Sequence, residues 1–210
     1  MEINVNVSNH PLIEHKLGRL RSEDTDATEF RRLVRDLSFL LAYEATHDLP
    51  TDSYEVETPL ESVMAKKVDD YAIGLIPVLR AGLGMVHPIL ELLPRAQVWH
   101  IGLYRDEETF EPVHYYNKLP ANPTVERCLV LDPMLATGGS AVATVDTLKE
   151  WGVSDVRFVG IIGAPEGIEE LNKSHPDVPV YLAAIDDHLN DNAFIVPGLG
   201  DAGDRQFGTI

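Results

Sequence analysis

Lysine is scarce in this chain: six residues, beside eleven arginines, against 34 acids in 210 positions. The resulting formal net charge of −17 repels a phosphate backbone at long range and argues against nonspecific nucleic-acid binding. It repels anionic metabolites too, so a phosphorylated ligand needs local arginines or a metal. Such a charge serves solubility, and it also suits a salt-rich cytoplasm. In the second case the unfolding midpoint rises between low and molar KCl, which a thermal melt checks. Cysteine is nearly absent. The single Cys128 excludes an intrachain disulfide, fits a reducing compartment, and reads as a small buried hydrophobe. No long apolar run exists: Tyr71–Leu93 is broken by Arg80, Pro88 and Glu91, so no membrane span is expected. The opening "MEINVNVSNHPL" lacks a basic-then-apolar signal, and a cytoplasmic location is expected. There is no GxxxxGK[ST], which excludes a Walker-type NTPase. The eight histidines show no metal-ligand spacing; His10, His15 and His188 read as solvated or structural.

What is present is a chain with 44% apolar and 24% charged residues, able to bury one substantial core as a single domain, residues 1–210. Residues 1–60 read as a helical extension. Asp26 and Glu29 are spaced as a capping box. Phe30, Leu33, Val34, Leu37, Leu40 and Leu41 follow helical spacing over about five turns. That face could cover a sheet edge or a second subunit. From Tyr71 onward, strand-like runs (71–76, 97–104, 127–132, 156–163, 180–186) alternate with helical patterns (84–93, 140–151, 166–174). Alternation of this kind predicts an α/β fold with a mainly parallel twisted sheet flanked by helices. Residues 104–126 hold Pro112, Pro120, Pro123, Tyr115 and Tyr116. They form too long a connection for an ordinary loop and read as a flexible or hairpin arm.

The segment "LVLDPMLATGGSAVATVDTLKEWG", residues 129–152, carries the chemistry. A strand ends at Asp132, a glycine-bearing turn follows, and a helix runs to Trp151 and stops at Gly152. Parallel sheets bind ligands beyond the carboxyl ends of their strands. A glycine turn lets amides approach an anion, and the helix N-terminus adds donors and a favourable dipole. Thr137 and Ser140 add hydroxyls, and Asp132 could accept hydrogen bonds from sugar hydroxyls. The plainer alternative is a strand–turn–helix connection whose glycines serve only the turn.

"VLDPMLATGGS" resembles the phosphoribosyl-diphosphate loop of the type I phosphoribosyltransferases, and in detail that of the uracil phosphoribosyltransferase family. Many members of the wider fold carry two adjacent acids here. Asp132 followed by Pro133 is the pattern of the uracil enzymes and leaves one carboxylate for the ribose. "PVLRAGLGM" (77–85) resembles the family's pyrophosphate loop, and "YRDEET" (104–109) its second anion-contacting segment. "HPLIEHKLGRLR" (10–21), "YEAT" (43–46), "APEGI" (164–168) and "PGLGDAGDRQFGT" (197–209) fall in the family's order. The resemblance implies a type I phosphoribosyltransferase fold that converts uracil and phosphoribosyl diphosphate to UMP and diphosphate, with Mg²⁺ carried by the diphosphate rather than held by protein side chains.

It further implies that Arg80 and Arg105 bind the diphosphate. Asp132 takes the ribose, and Pro133, Met134, Leu135, Ala136, Thr137, Gly138, Gly139 and Ser140 cradle the phosphoribosyl group. Residues 187–210 form a base-binding hood in which Ile195, Gly200, Asp201 and Ala202 read uracil, Asp201 also touching the phosphoribosyl ligand. Activation by GTP or inhibition by CTP, and a homodimer or homotetramer, are expected on the same ground. Without the resemblance, Arg80 could be a surface or helix-capping arginine, and Arg105 could pair with its acidic neighbours 106–108.

Rival functions carry their own sequence tests. Some proteins of this fold are RNA-binding regulators that sense UMP, which the −17 charge opposes. A sister transferase for orotate or purines is opposed, by resemblance, by Asp132-Pro133 and the "GLGDAGD" ending. The terminal Gly198-x-Gly200-x-x-Gly203 matches a dinucleotide fingerprint, but that motif works only between a strand and a helix of a βαβ unit. With seven residues after Gly203, it reads instead as a terminal loop that brings backbone against a flat base.

Overall fold

The computed structural model describes residues 4–105 and 112–209. In chain order, β1 (Val5–Val7) leads to α1 (Pro11–Arg21) and α2 (Ala27–Ala45), then to a ribbon of β2 (Asp52–Glu57) and β3 (Ser62–Lys67). β4 (Ile73–Pro77), α3 (Leu83–Leu92) and β5 (Gln97–Val98) follow, with a second ribbon of β6 (Ile101–Arg105) and β7 (Pro112–Asn117). β8 (Arg127–Leu131), β9 (Met134–Leu135), α4 (Gly139–Trp151), β10 (Asp155–Val159), β11 (Ile162–Gly163) and α5 (Pro165–Ser174) form the second half of the α/β array. The chain finishes through β12 (Val180–Leu182), β13 (Ala184–Ile185), β14 (His188–Leu189), β15 (Ile195–Val196) and α6 (Ala202–Phe207).

Six strands pair in parallel in the order β1-β12-β10-β8-β4-β5. β4 is buried at every position, and β8 and β10 at four of five. Such unbroken apolar strands are what a parallel sheet covered on both faces requires. Successive residues serve opposite faces. Ile73, Leu75, Leu129 and Leu131 join Phe30, Leu33, Leu37, Leu41 and Ile89 from α2 and α3. Ile76, Cys128, Val130 and Phe158 join Val145, Leu148 and Leu171 from α4 and α5. The apolar stripe of α2 is therefore core within the chain. Cys128 is fully buried, and desolvation, then the Asp155 charge, pushes its thiol up to about 12.

The sheet has a step. β8, β10 and β12 each break after their buried run and resume as β9, β11 and β13, which pair in the same order. Across the break, Asp132 N–H donates to the Val159 carbonyl at 3.2 Å, and the Ile161 and Ile162 amides both reach Pro133 O at 3.0 Å. The runs 156–163 and 180–186, each read as one strand, are thus two. The run 97–104 also divides: β5 ends the sheet, and β6 leaves it to pair antiparallel with β7. Residues 106–111 of that arm lie outside the described residues.

The helical extension of residues 1–60 needs correction. Its helices are integral to the core, β1 is an edge strand of the main sheet, and β2 begins at Asp52. Asp26 caps α2 by accepting from the Thr28 and Glu29 amides at 2.8 Å. Glu29 does not return the bond as a capping box would; its carboxylate takes Arg19 and Arg32. Among the described residues, no helix is long and apolar enough to cross a membrane.

Candidate active site

The site is built on the step in the sheet. Asp132 leaves β8 at the break, and its Oδ1 accepts the Met134 N–H at 3.3 Å. Burial drives this carboxyl up to about 7, the Met134 amide pulling weakly the other way. Two residues of β9 then lead into the turn 136–138, and Gly138, the N-cap of α4, takes φ +84°, the left-handed region that favours glycine. No side chain caps that helix start, so its first-turn amides face outward as donors. A chain poor in lysine thereby supplies positive potential from its backbone. A hollow of about 90 Å³ sits here, lined by Asp132, Met134, Leu135, Ala136, Thr137, Gly138, Ser140 and Ala141.

Gly167, near the start of α5, holds this turn from behind. A Cβ there would fall 2.3 Å from Ala136 O and 2.7 Å from Leu135 O, while a Cβ on Gly138 would fall 2.8 Å from Gly167 O. The two glycines nest together, which gives "APEGI" a physical task. Gly167→Ala is expected to cost about 1–3 kcal/mol through this overpacking. The thermal midpoint falls by several degrees, and affinity of the turn for inorganic phosphate falls with it. A variant matching the parent in both would mean the turn can move freely.

The Arg80 segment reaches the same place by another close approach. Val78 N–H donates to Leu131 O at 2.9 Å, and a Cβ on Gly82 would sit 2.2 Å from that same carbonyl. Gly82 therefore lets residues 78–82 lie on the end of β8, one residue before Asp132. A second hollow, of about 220 Å³, is lined by Val78, Leu79, Arg80, Ala81, Asp132, Met134, Ser140, Asp201 and Gly203. Three sequence-distant segments meet there. Among the described residues, Arg80 is the one cation lining it, and its Nη2 donates to Asp204 Oδ1 at 3.0 Å. Asp132 and Asp201 bring two carboxylates, the hard oxygen donors that suit Mg²⁺ held through water. Arg105 closes β6, and its side chain lies outside the described residues.

The terminal segment is not the loop its glycines suggested. Gly198 and Gly200 hold left-handed φ of +65° and +77°, but the chain then forms α6. Asp201 is its N-cap, accepting the Asp204 N–H at 2.9 Å. Ala202 is buried as the first residue of this helix. The helix is six residues long and no strand follows it among the described residues, so the βαβ context that a dinucleotide fingerprint needs is not formed there. Ile195, in β15, is buried and pairs with Leu189. Neither Ile195 nor Gly200 lines the two hollows.

Several positioning residues had no signal in the sequence. Arg21 grips Asp186 through two nitrogens, at 2.5 and 2.7 Å, and donates to Gly198 O at 2.7 Å. Asp186 also accepts the Gly198 N–H at 2.8 Å. Arg205 donates to the carbonyls of Leu20, Ser22, Thr25 and Leu199 and stacks its guanidinium 4.5 Å from the Phe30 ring centroid. Gln206 donates to Ala81 O at 3.2 Å, and its amide fills the space a side chain at Gly84 would need. Charged residues separated by about half the chain or more identify such partners only once the fold is known.

An acid and an uncapped helix start at the step of a parallel sheet, faced by an arginine loop, define a phosphoribosyltransferase of the type I fold. Comparison with known proteins agrees. The Giardia lamblia APRTase complexed with 9-deazaadenine superposes with a TM-score of 0.50 at 14% identity, over 73% of this chain and 80% of that one, a likeness of fold. The AQ2163 protein from Aquifex aeolicus superposes with a TM-score of 0.90 at 35% identity over 97% of each chain. The family profile described as "Uracil phosphoribosyltransferase" matches residues 7–209, and the chain belongs to that family. Proteins named uracil phosphoribosyltransferase from Roseiflexus sp. (strain RS-1) and Dictyoglomus thermophilum are 60% and 56% identical to it. The first match covers 98% of both chains; the second covers 97% of this chain and 98% of the relative.

Proposed function

We propose that the chain transfers the phosphoribosyl group of 5-phosphoribosyl 1-diphosphate to N1 of uracil, giving UMP and diphosphate. The C1–oxygen bond to the diphosphate breaks, the C1–N1 bond forms, and the N1 proton leaves. The observation that carries the reading is the shared hollow. Arg80, Asp132, Ser140 and Asp201, from three separate segments, border one space of about 220 Å³ beside the α4 anion cradle. No covalent nucleophile is needed. Holding two fragments in line and stabilising charge on the leaving group accounts for the chemistry.

In this reading the 133–140 turn holds the 5-phosphate through its amides and hydroxyls, and Asp132 accepts from the ribose hydroxyls. Arg80 and Arg105 neutralise the diphosphate. The backbone of Ile195, Gly200, Asp201 and Ala202 reads the uracil edge, so that the amino group of cytosine meets a donor. Asp132 and Asp201 would hold Mg²⁺ carried by the diphosphate through water, and the ion would supply charge neutralisation at the leaving group. The test is diphosphate release with phosphoribosyl diphosphate, Mg²⁺ and a panel of uracil, cytosine, orotate and hypoxanthine. Uracil alone should support turnover. Release that does not depend on uracil, with or without GTP, overturns the reading.

The domain reading becomes one phosphoribosyltransferase domain with an arm at 104–126 and a hood at 187–210, working in the cytoplasm. Activation by GTP or inhibition by CTP is tested in the same assay. A homodimer or homotetramer is supported by the β2–β3 ribbon. Tyr54, Val56, Val63 and Ala65 share one of its faces by register. Tyr54 is 42% and Val63 49% exposed. A two-stranded ribbon is marginal in water, and a second copy would cover that face. Sedimentation equilibrium decides it.

A further inference from the structure

We infer that Asp204 is a placeholder for the diphosphate on Arg80: its carboxylate and the diphosphate compete for the same guanidinium. The inference rests on Arg80 being a diphosphate ligand, as proposed above. Arg80 Nη2 donates to Asp204 Oδ1 at 3.0 Å, and Thr209 Oγ1 donates to the same oxygen at 2.6 Å. Those bonds, Thr209 first and Arg80 second, hold the Asp204 carboxyl below its ordinary range, so it is ionised at neutral pH. Arg80 is the one cation among the described residues that line the hollow, and Asp204 stands one helical turn from Asp201, which lines it too.

The geometry makes the contact local and specific. Asp201 caps Asp204, and Gly203 lies between them. A Cβ at Gly203 would sit 3.2 Å from Asp201 Oδ1 and 3.7 Å from Arg80 Nη2. Gly203 thus places the Arg80 guanidinium within van der Waals reach of the α6 start, where it meets Asp204. The pair is solvent-facing, with side chains 60% and 36% exposed. A single exposed carboxylate holds an arginine weakly, whereas a diphosphate offers several charged oxygens and takes it in bidentate fashion. The carboxylate thus keeps Arg80 oriented at the hollow and yields it to the more highly charged ligand. Asp204 acts through Arg80 and is a positioning residue.

The test is a titration with inorganic pyrophosphate at fixed Mg²⁺ on four proteins: the parent, Arg80→Ala, Asp204→Asn, and the double variant. Arg80→Ala weakens binding. Asp204→Asn, which removes the competitor, tightens it about 2–5-fold, the range of an exposed ion pair, and the same substitution in the Arg80→Ala background changes nothing. A structural defect would weaken binding in both backgrounds and lower the thermal midpoint. Should Asp204→Asn fold poorly, Asp204→Ser takes its place with the same expected gain. No gain on the parent background, or an equal gain without Arg80, overturns the proposal, since the second result is a general effect of removing a negative charge. If Arg80→Ala leaves pyrophosphate affinity unchanged, the assignment of Arg80 itself fails, an outcome visible before Asp204 is considered.

Discussion

Replacing Arg80 with alanine is expected to lower kcat/KM for phosphoribosyl diphosphate by about 10–150-fold, the loss of a charge-assisted contact worth roughly 1.5–3 kcal/mol. The effect falls on kcat as well as KM, because charge on the diphosphate grows as its bond to C1 breaks. Stability is a separate matter. The Arg80 side chain is 60% exposed and its protein partner is Asp204, a surface pair of small worth. The thermal midpoint of the variant should therefore stay close to the parent's. Lysine in its place restores the charge but not the planar fork, and recovers only part of the rate. Unchanged steady-state constants for Arg80→Ala would remove the arginine from the site.

Asp132→Asn is expected to do two opposite things. Activity falls by about 10–150-fold as charge-assisted bonds to the ribose hydroxyls become neutral ones. Stability rises above neutral pH. The sign follows from linkage. The folded protein holds the Asp132 proton up to about 7, against an ordinary 3.8. Between those values the native state binds more protons than the unfolded chain, and stability drops as pH increases. Asparagine has no proton to lose. Parent and variant should match in stability near pH 4 and diverge through pH 7, with the variant ahead by about 1–2 kcal/mol after allowing for solvent reaching the hollow. Denaturant melts at several pH values read this directly. In the parent, kcat/KM should also climb as the pH passes about 7, the free enzyme's carboxylate being the form that accepts two hydroxyls, while the variant stays flat. A variant no more stable at pH 8 than at pH 4, relative to the parent, would falsify the buried-acid account.

The α4 end of the site was legible because its parts are consecutive: strand, acid, turn, glycine and helix follow one another within 24 residues, and each carries a local signal. The same holds for α2 and for the C-terminal stop at Gly152, which takes φ +110°. What failed were features settled by distant partners. The breaks at Gly160 and Ala183 leave no mark on hydropathy, because apolar residues run on across them, whereas the strand end at Asp132 was readable from its acid. α6 is too short for a helical period to register. The β2–β3 ribbon alternates Tyr54 and Val56 with polar residues, but so weakly that the stretch reads as connection. The Arg21–Asp186 and Arg205–carbonyl contacts join residues 165 to 185 positions apart, and no spacing rule reaches that far.

Those last contacts bear on how the protein is made. Val5 pairs with Val180, and Arg205 laces the carbonyls of residues 20, 22 and 25. As the chain emerges from the ribosome N-terminus first, α1 and the start of α2 are present early but wait for almost the entire sequence before their last partners exist. A polypeptide stalled at residue 190 would already include the α4 turn, yet lack α6 and the loop that α6 fastens to α1. On the proposed assignment, translation delivers the phosphate-side turn first and the base-side segment last, so that an unfinished chain would meet phosphoribosyl diphosphate without a finished place for the base that would consume it.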